Sequence, residues 1–105
     1  MSTLTFDELR IANIERAKFY PKVIDHKRWI NYLMAEVGEY LQELNDYEEG
    51  KLTFQEFRDK ARSELPDIQT YLDLMAANLF IDLGAATIDK FNEVSNRIEG
   101  CKVYL

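Results

Sequence analysis

Cysteine occurs once in 105 residues, at Cys101, so no disulfide can form within the chain and a reducing compartment suits it. Only two prolines and four glycines interrupt the sequence, which predicts a few long elements joined by short turns. No apolar run approaches the roughly 20 residues that a membrane-spanning helix requires, and no signal-peptide pattern opens the chain. The expectation is a cytoplasmic protein with no membrane partner. Histidine also occurs once, at His26, so a di-iron centre built on two Glu-x-x-His motifs is excluded. What is present is apolar and acidic. A hydrophobic fraction of 47%, with 12% aromatic residues, predicts a single folded domain over residues 1–105.

The net charge of −6 is concentrated in one third of the chain. Residues 36–67 hold ten acidic side chains against four basic ones, while the remainder is neutral. No lysine or arginine lies between residues 29 and 50. This distribution disfavours a nucleic acid polymer as partner and favours a cation.

The pattern reads as all-α, with about four helices and no internal repeat or linker. "TFDE" at Thr5 is a capping box that starts the first helix, whose face is Phe6, Leu9, Asn13, Ala17 and Tyr20; Pro21 ends it. The second runs from about Asp25 to Tyr47 with Ile30, Leu33, Val37, Leu41 and Leu44 as its apolar stripe, and Gly50 stops it. A second capping box, Thr53 to Glu56, opens the third helix. Pro66 within that helix predicts a break or kink near Ser63, with helix continuing to about Phe80. Asp82 caps the last helix, which runs to Glu99 before Gly100, and "CKVYL" reads as an extended tail.

In "AEVGEYLQEL", Glu36, Glu39 and Glu43 follow one another at i, i+3 and i+7 along one side of the second helix. Like charges so placed destabilise a helix by about 0.2–0.5 kcal/mol per pair. In "ELPD", Glu64 and Asp67 repeat the three-residue spacing on the third helix. They border its predicted buried side, Ile68, Leu72, Met75 and Leu79, whereas Asp73 points into water. Antiparallel packing of the two helices would bring four carboxylates, Glu36, Glu39, Glu64 and Asp67, to one locus that needs a counter-charge. With oxygen ligands alone the natural one is Mg²⁺, with Mn²⁺ as a substitute. Each pair taken singly also reads as an ordinary solvated helix face. The stretch "NDYEEGKLTFQEF" imitates an EF-hand loop, but Asn45 stands in the leading position and Tyr47 in a ligand position that it cannot serve.

On the last helix, Lys90 and Arg97 lie seven apart beside the expected buried stripe of Ile88, Phe91, Val94 and Ile98, with Asn92 and Ser95 nearer the other edge. Cations and amides at such a border suit phosphate oxygens. The alternative is surface ion pairing with Glu93 or Asp89.

The ordered set of Glu36-x-x-Glu39, Glu64-x-x-Asp67, then Lys90, Asn92 and Arg97 resembles the MazG-like nucleotide pyrophosphohydrolases of the all-α NTP pyrophosphatase superfamily. The likeness extends from "LRIANIERAKF" to "DKFNEVSNR" and departs at Pro66, where a small residue is also common. It implies Mg²⁺-dependent hydrolysis of a (deoxy)nucleoside triphosphate to the monophosphate and pyrophosphate, often to clean the nucleotide pool. It also implies a helical bundle completed by oligomerisation, as a dimer or a tetramer. Glu36, Glu39, Glu64 and Asp67 would hold the metal and orient water, and Lys90, Asn92 and Arg97 would contact phosphate. Trp29 would stack on the base or belong to the core, and the Asn13 amide would read the base or bridge two helices. The rivals are a non-catalytic nucleotide-binding module and an acidic helical module that binds a basic partner.

Overall fold

Both predicted capping boxes form and set where the chain turns helical. Thr5 Oγ1 accepts from the Glu8 amide at 3.1 Å, and the Thr5 amide donates to Glu8 Oε1 at 2.9 Å. Thr53 and Glu56 repeat the exchange at 3.1 and 3.0 Å. Each box satisfies backbone groups that a helix terminus leaves without partners. The computed structural model describes residues 3–20 and 26–105. Among these residues the chain is all-α, with helices α1 (Phe6–Ala17), α2 (His26–Glu48), α3 (Phe54–Asn78) and α4 (Leu83–Arg97), and no strand. Asp82 caps α4, its Oδ1 accepting from the Ala85 amide at 3.1 Å. Gly50 and Gly100 take φ of 79° and 80°, the left-handed conformation that ends helices and favours glycine. The expected stop at Pro21 and start at Asp25 fall outside the described residues. No single helix among those described is long and apolar enough to cross a membrane.

Several boundaries differ from the expectation. The first helix ends at Ala17, short of Tyr20, and the last at Arg97, short of Glu99. No break occurs near Ser63: α3 is continuous and carries Pro66 in its interior. Pro66 and Arg62 both lie on the exposed side, so the Arg62 carbonyl, which loses its backbone donor to the proline, is left where water can replace it. The third helix stops at Asn78 by a closure that no glycine announces. The Ile81 amide donates to the Ala76 carbonyl at 2.9 Å and the Phe80 amide to that of Ala77 at 3.0 Å. Phe80 occupies the left-handed position at φ 56°, a conformation that costs an L-residue about 1–2 kcal/mol.

α2 and α3 form the most extensive helix pair, antiparallel, with α1 laid against α3 and α4 against α1 and α3 but not α2. Ring pairs fix the α2–α3 register at both ends. Trp29 stacks on Tyr71 with centroids 5.9 Å apart, and Tyr32 meets Tyr71 at 5.9 Å. At the other end Tyr47 stacks on Phe57 at 5.4 Å and Tyr40 meets Phe57 at 5.6 Å.

The buried side of α3 differs from the expected stripe. Leu72 and Leu79 are exposed, while Asp73, expected in water, is 2% exposed. The reason is that α3 is covered on two sides. Glu64 and Asp73 are nine residues apart, half a revolution around the helix at about 100° per residue. Glu64 therefore faces α2 while Asp73 faces α1, where Asn13 Nδ2 donates to Asp73 Oδ2 at 2.8 Å.

Little else is covered within one chain. Among the described residues Trp29, Leu33, Leu74 and Ala76 are the buried apolar ones, and the stripe Ile88, Phe91, Val94 and Ile98 on α4 is exposed rather than buried. The accessible surface is 8170 Å², against about 6,100 Å² for a folded monomer of this mass. The radius of gyration is 16.7 Å, against about 13 Å for a close-packed chain of this length. The chain leaves about 2,000 Å² more surface open than its size requires.

Candidate functional site

Between the two aromatic ends of the α2–α3 pair lie five carboxylates. Glu36, Glu39 and Glu43 come from α2, successive turns of one helix side, and Glu64 and Asp67 come from α3. The helix packing turns the two rows toward each other. Glu36 feels the charges of Glu39, Asp67 and Glu43, and Glu64 those of Glu43, Glu39 and Glu36. Among the described residues no lysine, arginine or histidine forms an ion pair with any of the five.

The electrostatic consequences fall on specific groups. Burial first, and then a hydrogen bond and repulsion from Glu43, push the Glu64 carboxyl up to about 7 from an ordinary 4.5. Glu64 is 8% exposed, and its Oε2 has no hydrogen-bond partner; Glu43 Oε2 is buried without a partner too. Glu36 is raised by burial and then by its acidic neighbours. Burial also raises the Tyr71 hydroxyl above its usual 10, with Asp67 and Glu36 adding to the effect. Two orphaned carboxylate oxygens beside three further carboxylates form an all-oxygen donor set that suits a hard cation. As the rotamers stand, no three acidic, imidazole or thiol groups among the described residues converge on one point as ligands. Glutamate has three side-chain torsions, so rotamer changes alter its reach between the two helices.

The four acids expected at one locus, Glu36, Glu39, Glu64 and Asp67, are thus drawn together by one helix pair. The residues expected to meet phosphate stand apart from them, on the helix that does not touch α2. Lys90 pairs with Glu93 at 3.6 Å and Arg97 with Glu93 at 2.7 Å. Asn92 holds the end of the chain, donating to the Leu105 carbonyl at 3.1 Å and accepting from its amide at 2.8 Å. Trp29 is 5% exposed inside the cluster of Tyr20, Tyr32 and Tyr71. Asn13 bridges α1 to α3 through Asp73.

Sequence reasoning missed two features of the site. Glu43 had the helical spacing to join the cluster, but the i, i+3 pairs drew the reading toward Glu36 and Glu39. Tyr32 and Tyr71 sit one turn from Glu36 and Asp67 respectively, and their meeting across the helix pair forms an aromatic wall beside the acids. The spacing was visible; the shared face required the helix packing. Compared with known proteins, the chain matches no family model, no curated protein and no solved structure.

A proton held by native Glu64 near pH 7 and released by the unfolded chain has a definite sign. The stability it contributes is complete below about pH 4.5 and is lost as pH rises through about 7. In chelator, the melting temperature is expected to fall as pH rises between about 5 and 7.5, and Glu64→Gln to remove most of that slope. Glu36, also raised, retains a slope of the same sign. Thermal melts across this range check it, and an undiminished slope in Glu64→Gln would contradict the assignment.

Proposed function

We propose that this chain hydrolyses a (deoxy)nucleoside triphosphate to the monophosphate and pyrophosphate in a Mg²⁺-dependent reaction, as a house-cleaning nucleotide pyrophosphohydrolase of MazG-like type. The observation that carries the reading is the pair of buried, unpartnered carboxylate oxygens on Glu43 and Glu64, within a cluster of five acids for which no ion pair is seen among the described residues. A triphosphate brings up to about four negative charges, which bare carboxylates would repel; a divalent cation reverses that field. Bound there, Mg²⁺, or Mn²⁺ in its place, supplies Lewis-acid polarisation of the α-phosphoryl group. Glu36, Glu39, Glu64 and Asp67 would hold the cation, and whichever carboxylate oxygen remains free would accept a proton from the attacking water. That water bonds to the α-phosphorus as the bridge to the β-phosphate breaks, and the electron pair leaves with pyrophosphate. The Tyr32–Tyr71 wall, one turn from Glu36 and Asp67, offers an aromatic surface on which a base can stack.

The same proposal includes a homo-oligomer, a dimer or a tetramer. The surplus of about 2,000 Å² per chain, about 4,000 Å² for two copies, falls in the range of obligate homodimer interfaces, about 2,000–5,000 Å² in total. The apolar stripe of α4 forms an open groove of about 550 Å³ lined by Leu83, Ala86, Phe91 and Val94, with Lys90 at its side. Light scattering at micromolar concentration is expected to give at least twice the mass of 12.4 kDa, and a monomeric mass would refute this part.

One observation favours the rival reading of a non-catalytic helical module. Lys90, Asn92 and Arg97 are all engaged locally within one chain, by Glu93 and Leu105. Pyrophosphate release from a panel of triphosphates, with and without Mg²⁺, separates the two. Asp67→Asn is nearly isosteric and removes one hard ligand, so release should fall by on the order of a hundredfold. An Asp67→Asn protein as active as the wild type would locate the chemistry elsewhere.

A further inference from the structure

We infer that the open apolar side of α2 is the two-fold interface of a homodimer, where α2 packs antiparallel against α2 of a second copy and crosses it at Val37 and Gly38. This rests on the homo-oligomer part of the reading above and gives it a face, a symmetry and contacts. Among the described residues α2 packs on α3 and on no other helix. Its other apolar side is therefore open: Met34 is 58% exposed, Leu41 is 54% exposed, and Val37 between them is exposed as well. At about 100° per residue, these three stand at least about 100° round the helix from Glu36, Glu39 and Glu43, so a partner seated there need not cover the acids.

Two features point to a second copy as the occupant. The first is Gly38, one turn from both Met34 and Leu41 on the border of the open side. A glycine inside a helix costs about 0.5–1 kcal/mol relative to alanine and is placed where another backbone comes close. Gly84 has such a neighbour in its own chain, since a Cβ there would come within 3.2 Å of Phe6 Cβ. A Cβ on Gly38 would meet nothing within 4 Å. A helix laid across the open side uses the space that Gly38 leaves.

The second feature is the order of charge. A helix favours acids at its start and bases at its end. α2 has no acid in its first turn and no base in its last, and carries Lys27 at the start and Glu48 at the end. Neither forms an ion pair among the described residues. An antiparallel copy presents the same charges in reverse. Met34 and Leu41 lie three residues to either side of the crossing, and Lys27 and Glu48 lie ten to either side. Met34 therefore meets the partner's Leu41 and Lys27 the partner's Glu48, and symmetry makes each contact twice. A shallow crossing of about 20° keeps both pairs within reach. On α4, by contrast, Lys90 and Arg97 are already paired with Glu93 in their own helix. The surface left open beyond what the chain's size requires is of the order that an obligate homodimer removes.

Gly38→Leu separates an interface from a merely solvated face. In one copy the new side chain enters open space, and leucine favours a helix more than glycine does. At a close crossing it holds two helices apart. Light scattering over a dilution series reads the mass of wild type, Gly38→Leu, Leu41→Lys and Ile98→Lys, with circular dichroism as the check on helical content. The wild type should show at least twice 12.4 kDa. Gly38→Leu and Leu41→Lys should keep their helices and dissociate at about tenfold higher concentration or more. Ile98→Lys, on α4, should remain at least dimeric. Wild-type association in Gly38→Leu overturns this inference and leaves the oligomer reading standing. Dissociation of Ile98→Lys in place of Gly38→Leu moves the interface to α4 and overturns it too. Should Leu41→Lys fail to fold, Gly38→Leu decides alone. A monomeric wild type overturns both this inference and the oligomer reading beneath it.

Discussion

Repulsion between two facing rows of carboxylates is the constraint around which the α2–α3 pair is organised. Glu36 and Glu64 register that repulsion: burial raises both carboxyls, and their acidic neighbours raise them further. The ring pairs at the two ends of the helix pair hold its register across these acids. Glu64 supplies relief by keeping a proton up to about pH 7. The cation we propose would relieve more, because it would turn the repelling groups into ligands.

Much of the fold is legible in the sequence, because its signals are local. The capping boxes at Thr5 and Thr53 and the cap at Asp82 act within four residues, and each appears where the pattern places it. Glycines at 50 and 100 mark turns for the same reason. Pro66 misleads because the penalty of an interior proline depends on whether its orphaned carbonyl meets solvent, which depends on the facing of the whole helix. Phe80 gives no signal, since the left-handed closure after Asn78 is held by its backbone bonds and not by residue choice.

The site divides along the same line. The i, i+3 acid pairs are readable because both members share one helix. Glu43 with Glu64, and Tyr32 with Tyr71, join residues from different helices, and only the antiparallel register brings them together. Asp73 is the clearest case. A helical wheel of α3 with one covered side sends it into water, but α1 covers the opposite side and Asn13 meets it there. The exposed stripe on α4 extends this lesson beyond the chain: its periodicity is that of a buried face, yet it stays exposed among the described residues of one copy.

We propose that the facing acids of α2 and α3 form a cation-dependent site for a triphosphate. Thermal melts in chelator, in Mg²⁺, and in Mg²⁺ with a non-hydrolysable nucleoside triphosphate test it most directly, because a ligand of the native state stabilises by mass action. The melting temperature is expected to rise with Mg²⁺, to rise further with triphosphate when Mg²⁺ is present, and not to rise with triphosphate in chelator. A melting temperature indifferent to both ligands would contradict it.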